Sequence, residues 1–159
     1  VGAITVPFFI SHQGCPHTCV FCDQRAISGS RGDLPDPQQI RSAIQSWQAT
    51  AAGRPLEVAF FGGSFTALPA PVQDELLAPV QPFLASGAVA SVRVSTRPDC
   101  LDSAAVRRLA GQGVRVIEVG VQSMDDAVLA LAGRGHDAAA SEAALGCIRA
   151  EGLAAGAQL

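Results

Sequence analysis

Residues 4–22 read ITVPFFISHQGCPHTCVFC, an apolar run joined directly to three cysteines. Residues 4–11 have the β-branched and aromatic composition of a strand, with Pro7 acceptable only near an edge or a strand start. Cys15, Cys19 and Cys22 then fall within eight residues. Three thiols so close point to a metal, yet a closed structural zinc site takes four ligands. Placed at the end of a first strand, such a loop sits where parallel α/β folds bind their ligands.

Moving outward, strand and helix signals alternate. Asp36-Pro37-Gln38-Gln39 reads as an N-cap, a proline at the first helical position and a glutamine at the third. Ile40, Ala43, Ile44 and Trp47 follow at helical spacing, which predicts a buried stripe. Residues 56–61, LEVAFF, predict a second strand ended by Gly62-Gly63. Val72, Leu76, Leu77, Val80 and Leu84 form a further helical stripe that Pro79 and Pro82 should kink or shorten. Short strands are expected at 92–95 and 114–121, with a helix from about 102 to 109 between them. Ser123 is expected to cap a short helix, a last helix covers 138–150, and residues 154–159 open a fifth strand. Four β–α units and a fifth strand imply one parallel sheet, doubly wound or barrel-like. The unusual residues all follow strand ends: the cysteine loop, Gly62-Gly63-Ser64, Ser95-Thr96-Arg97 and Gln122-Ser123. That favours a barrel with its active face at the C-terminal edge.

Composition narrows the class. The chain has 159 residues, a net charge of -3 and 48% hydrophobic residues, enough for one domain with its own core. All basic residues are arginine, and the charge gives no general attraction to nucleic acid. No apolar run is long enough to span a bilayer, and no signal-peptide pattern opens the chain. Five cysteines, an odd count with three clustered, fit a reducing cytoplasm better than a disulfide framework. Val1 is not an initiator methionine and the last residues read as a strand in progress. The expectation is therefore a single core fragment, 1–159, of a longer protein truncated at its C-terminus.

For the metal, zinc would use Cys19-Val20-Phe21-Cys22, Cys15 and a histidine, His12 or His17. No second cysteine pair lies nearby to complete a zinc knuckle. An iron–sulfur cluster held by only three thiolates keeps one iron free. Cys15-x-x-x-Cys19-x-x-Cys22, with Phe21 before the last cysteine, resembles the signature of the radical S-adenosylmethionine superfamily. Phe61-Gly62-Gly63-Ser64-Phe65 resembles its glycine-rich segment after the second strand. Ser95-Thr96-Arg97-Pro98-Asp99, Glu118-Val119-Gly120-Val121-Gln122-Ser123 and Arg134-Gly135-His136 resemble segments of the elongator catalytic subunit's radical domain and its bacterial relatives. A more distant similarity is to oxygen-independent coproporphyrinogen oxidase.

The resemblance implies a partial TIM barrel of which about five strands are present. It also implies a [4Fe–4S] cluster on Cys15, Cys19 and Cys22, whose free iron is chelated by S-adenosyl-L-methionine. Reductive cleavage of that cofactor would give a 5′-deoxyadenosyl radical that abstracts hydrogen from a substrate, a tRNA base or a small molecule. An electron donor such as flavodoxin or ferredoxin would be a partner. By the same resemblance Phe21 packs on the adenine and Gly62, Gly63 and Ser64 hold the methionine end. Ser95, Glu118 and Gln122 contact the ribose or amino group, and Arg97 the carboxylate. Plainer readings stand beside these: Glu118 as an ion pair with Arg93 or Arg97, Ser123 as a cap, Cys100 and Cys147 as small buried residues, Arg134-Gly135-His136 as a turn. The alternative function is a non-catalytic zinc or iron–sulfur domain that binds RNA or protein. The Arg31-Gly32-Asp33 tripeptide is dismissed as chance.

Overall fold

The structure, a computed structural model, describes residues 2–17, 19–23 and 33–159. Val1, Thr18, residues 24–30 and Arg31-Gly32 of the dismissed tripeptide lie outside the described residues.

Five parallel strands form one sheet in the order β1-β2-β3-β4-β5. They are β1 (Ile4–Phe9), β2 (Leu56–Phe61), β3 (Val89–Thr96), β4 (Val114–Gly120) and β5 (Ala154–Gln158). Doubly wound sheets reverse direction at a switch point. Here every strand pairs with its neighbour in sequence and no reversal occurs, which is the order of a partial barrel. Pro7 is accommodated because β1 is an edge of the sheet.

The connections are helical: α1 (Pro37–Thr50), α2 (Ala70–Leu77), α3 (Gln81–Ala85), α4 (Ser103–Gly111), α5 (Asp126–Leu131) and α6 (Ala138–Ala150). Asp36 caps α1 by accepting from the amides of Gln38 and Gln39, while Gln39 reaches back to the Asp36 amide. The prolines at 79 and 82 act as expected: a 3-10 turn, Ala78–Val80, separates α2 from α3.

Register divides the sheet into two faces. Phe8, Phe60, Val94 and Ile117 lie side by side across four strands and are buried with Ile40, Ile44, Leu77, Leu109 and Ile148 of the helices. Phe60 stacks on Phe8 with centroids 5.5 Å apart and meets Phe65 at 5.3 Å. The opposite face carries Glu57, Arg93, Ser95 and Glu118, a polar row that points into the barrel side.

Three expectations need correction. Trp47 is exposed, so the α1 stripe is narrower than its spacing implies and rests on Ile40 and Ile44. β3 begins at Val89, earlier than expected, because Val89 and Ser91 pair with Leu56 and Glu57 of β2 across a register shift at Ala90. Asp125, not Ser123, caps α5; its carboxylate accepts from Ala127 and Val128, while Ser123 Oγ accepts from the Asp125 amide. An anion suits the helix N-terminus better than a hydroxyl.

Among the described residues no helix is long and apolar enough to cross a membrane. Truncating the core ring by Phe60→Ala should cost about 3–5 kcal/mol, while Asp36→Ala should cost about 1 kcal/mol, both read by urea denaturation.

Candidate cofactor site

The cysteine loop is built against the end of β2. Beyond β1, the Ile10 amide donates to Phe61 O at 2.8 Å and the His12 amide to Gly62 O at 2.9 Å. The Ser64 amide returns the contact, donating to Gln13 O at 3.0 Å. Gly63 lies so close to the carbonyls of Ile10 and Gln13 that a side chain there would collide with backbone. The glycine pair therefore seats the loop, since only a residue without Cβ allows two chain segments this near. Within the loop, the Cys15 amide donates to His12 O and the Cys22 amide to Cys19 O.

A cavity of about 270 Å³ opens at the C-terminal ends of the strands. Cys15, Cys19, Cys22, Phe21, Gly62, Gly63, Ser95, Arg97 and Gln122 all line it. Residues far apart in the chain thus meet at one place. Gln122 sits at φ +67°, a left-handed conformation that a non-glycine residue seldom adopts. Its amide donates to Gln158 O of β5 at 2.8 Å, which holds the bend at the cavity rim.

Two of the expected site residues face elsewhere. Ser64 is fully buried; its hydroxyl pairs with Thr96 Oγ1 at 3.0 Å and accepts from the Arg97 amide at 3.3 Å. Glu118 accepts from Arg93 Nη1 at 2.6 Å, Gln158 Nε2 at 3.0 Å and Ser95 Oγ at 3.3 Å. Arg93 bridges to Glu57 as well, Nε to Oε2 at 2.8 Å. The Glu57 hydrogen bond is the main reason its guanidinium pKa is raised. The plain reading of Glu118 as an ion pair with Arg93 is what the geometry shows, and Ser95 is partly engaged with it.

Arg97 reaches the cavity, but its guanidinium is held by Asp99 through two hydrogen bonds, 2.9 and 3.1 Å. Burial opposes the Arg97 charge, and the Asp99 contacts outweigh it, so the pKa is raised. Burial likewise pushes the Cys15 thiol up, against the pull of Arg97. Neither Cys100 nor Cys147 lines the cavity; both are partly exposed, with Cys147 Sγ 3.0 Å from Ser103 Oγ.

Arg134 lines the cavity too, beside His12, His17, Phe9, Phe61 and Gln158. Its place in Arg134-Gly135-His136 was the one sequence signal for it. Burial holds the His136 imidazole below its ordinary pKa, with the charges of Arg134 and Arg97 acting in the same direction.

Cys15, Cys19 and Cys22 share one cavity, and among the described residues no three His, Cys, Asp or Glu side chains are already gathered around one metal position. Cys15, Cys19 and Cys22 are the three sulfur donors that would take three irons of a cluster and leave a fourth open. His12 and His17 line the same cavity, so the four-ligand set of a zinc site is present there too.

This fold and loop define a class. The chain matches the Radical SAM superfamily profile over residues 9–156, and it belongs to that superfamily. It is 30% identical over 137 residues to an uncharacterized protein of Methanocaldococcus jannaschii, covering 78% of this chain and 41% of the relative. It is 26% identical over 160 residues to the heme chaperone HemW of Synechocystis, covering 94% of this chain and 36% of that one. The chain thus spans less than half the length of these curated relatives. In fold it is similar to Methanocaldococcus infernus Elp3, with TM-score 0.70, 19% identity, and coverage of 98% and 37%. It is also similar to anSMEcpe with bound AdoMet, at TM-score 0.72, 14% identity, and coverage of 97% and 43%. Escherichia coli HemN, a coproporphyrinogen III oxidase, aligns at TM-score 0.62 and 18% identity over 95% of this chain and 35% of its own.

Two outcomes follow for the polar residues. Arg93→Met strands two partly buried carboxylates and should lower stability by about 1–3 kcal/mol, read by denaturant titration at pH 7. His136, whose pKa is lowered on folding, adds stability that is complete above about pH 6.5 and is lost as pH falls through the folded value. Denaturation of the apo-protein at pH 7.5 and 5.5 should show that loss, and His136→Gln should shrink it.

Proposed function

We propose that this chain is the cofactor-binding core of a radical S-adenosylmethionine enzyme. Residues 1–159 form one core unit of the larger enzyme. The observation that supports this most strongly is the convergence of Cys15, Cys19, Cys22 and Phe21 with the Gly62-Gly63 turn on one cavity at the strand ends. Cys15, Cys19 and Cys22 ligate a [4Fe–4S] cluster. When bound, that cluster and S-adenosylmethionine supply one-electron cleavage of a sulfonium bond and the hydrogen abstraction that follows.

The chain's own residues bind, aim and shield. Phe21, half-exposed beside the cavity, offers a ring face for the adenine. Gly62 and Gly63 bring backbone within reach of the methionine end, and Ser64 supports them by tying β2 to Thr96 and Arg97. Ser95 and Gln122 present hydroxyl and amide groups to ribose or amino group. Arg97, oriented by Asp99, faces the carboxylate. Glu118 acts on this site through Arg93, Ser95 and Gln158, whose side chains it holds.

The substrate is a tRNA base or a small molecule, and the electron comes from a flavodoxin- or ferredoxin-type donor. A second reading, a non-catalytic iron–sulfur domain, gains support from the relative described as a heme chaperone. Anaerobic reconstitution, iron and sulfide analysis, then reduction with dithionite in the presence of S-adenosylmethionine separates the two. The expected result is a brown protein that releases 5′-deoxyadenosine, with Cys19→Ala losing at least tenfold in both iron content and product. A colourless or zinc-only protein contradicts cluster binding; an intact cluster without product favours the second reading.

A further inference from the structure

Residues 132–137 join α5 to α6, and this turn grips the cysteine loop from the side opposite the glycine pair. Arg134 is only 6% exposed despite its charge. Its Nη1 donates to Cys19 Sγ at 3.2 Å, its Nη2 to Gly120 O at the end of β4, and its Nε to His136 Nε2 at 3.2 Å. Its guanidinium carbon lies 6.0 Å from the centroid of the Phe21 ring. The adjacent backbone adds to the grip: the Val20 amide donates to Ala132 O at 3.1 Å. Gly135, at φ +73°, packs so closely on the His17 imidazole that any Cβ would overlap the ring. Turn and loop therefore meet at four points, His17, Cys19, Val20 and Phe21.

The partners of Arg134 leave its charge uncompensated. A buried guanidinium is stable when an anion faces it. Among the described residues no carboxylate forms an ion pair with Arg134, whereas Arg97, Arg107 and Arg108 each have one and Arg93 has two. Its acceptors are a carbonyl, an imidazole and a sulfur. His136 is held toward its neutral, accepting form by burial. Of these groups, only the Cys19 sulfur acquires negative charge when it becomes a thiolate ligand. Metal ligation at Cys19 would supply the missing counter-ion.

We propose that Arg134 is a positioning residue for Cys19, fixing that thiolate against the end of β4 and raising the reduction potential of the cluster it ligates. This rests on the cluster reading above. Hydrogen bonds and positive charge at a ligand sulfur withdraw electron density from it, which stabilises the reduced, more negative cluster. The same guanidinium orients Phe21, so the metal side and the ring side of the cavity are set by one side chain.

The test is an EPR-monitored redox titration of the full-length chain, reconstituted anaerobically and measured without S-adenosylmethionine. Wild type, Arg134→Met and Arg134→Lys are compared, with iron per chain determined for each. The expected result is a midpoint potential shifted to more negative values in Arg134→Met and partly restored in Arg134→Lys. Should Arg134→Met take up no iron while Arg134→Lys does, the lysine variant decides: a negative shift supports the proposal and an unchanged midpoint overturns it. A wild-type cluster whose midpoint is the same in every variant overturns the proposal and leaves the cluster reading intact. A wild-type protein that takes up no cluster overturns both.

Discussion

Residues 10–17 and 19–23 of the cysteine loop have no helix or strand of their own and keep their shape through what they are tied to. The described part of the cysteine loop is tied on one side to the backbone of Gly62, Gly63 and Ser64. On the other side it is tied to the turn that carries Ala132, Arg134 and Gly135. Those two supports stand at the ends of β2 and just beyond β4, so their separation is set by the sheet. The parallel order without reversal is therefore what makes the site: it brings every strand's C-terminal end to the same edge. The apolar rows of Phe8, Phe60, Val94 and Ile117 fix that register, because a one-residue slip would exchange them with the charged face.

The charged face solves a second problem. Glu57, Arg93 and Glu118 come from three adjacent strands and would each be costly alone on a partly buried surface. Joined as Glu57–Arg93–Glu118, with Ser95 and Gln158 attached, they compensate one another beneath the cavity. The cavity itself is left with sulfur, glycine backbone, Phe21 and a few uncharged polar groups, along with two arginines. One of these, Arg97, is neutralised by Asp99; the other, Arg134, waits on the loop.

Features carried by local chemistry were legible in the sequence. The Asp36–Gln39 cap, β2 at 56–61 and α6 at 138–150 depend on neighbours within a few residues, and each lies where the pattern puts it. The three cysteines and the glycine pair were legible for the same reason, since spacing and backbone freedom are local properties. Pairings across the sheet were not. That Ser64 turns toward Thr96, that Glu118 is held by Arg93 and Gln158, and that Arg134 reaches Cys19 across 115 positions all depend on register. A single sequence gives the residue types for these contacts without saying which of several partners wins. The early start of β3 and the cap on α5 failed for kindred reasons: a neighbour strand overrode propensity, and two capping residues competed for one helix end.

The claim on which everything else depends is that three thiolates hold a cluster with one iron left open to S-adenosylmethionine. The most direct measurement is the EPR spectrum of the reduced, reconstituted protein before and after that cofactor is added. The expected result is a [4Fe–4S] signal whose shape changes on addition, as it would if the cofactor binds at the cluster held by Cys15, Cys19 and Cys22. A cluster signal indifferent to S-adenosylmethionine, or no cluster signal at all, would contradict it.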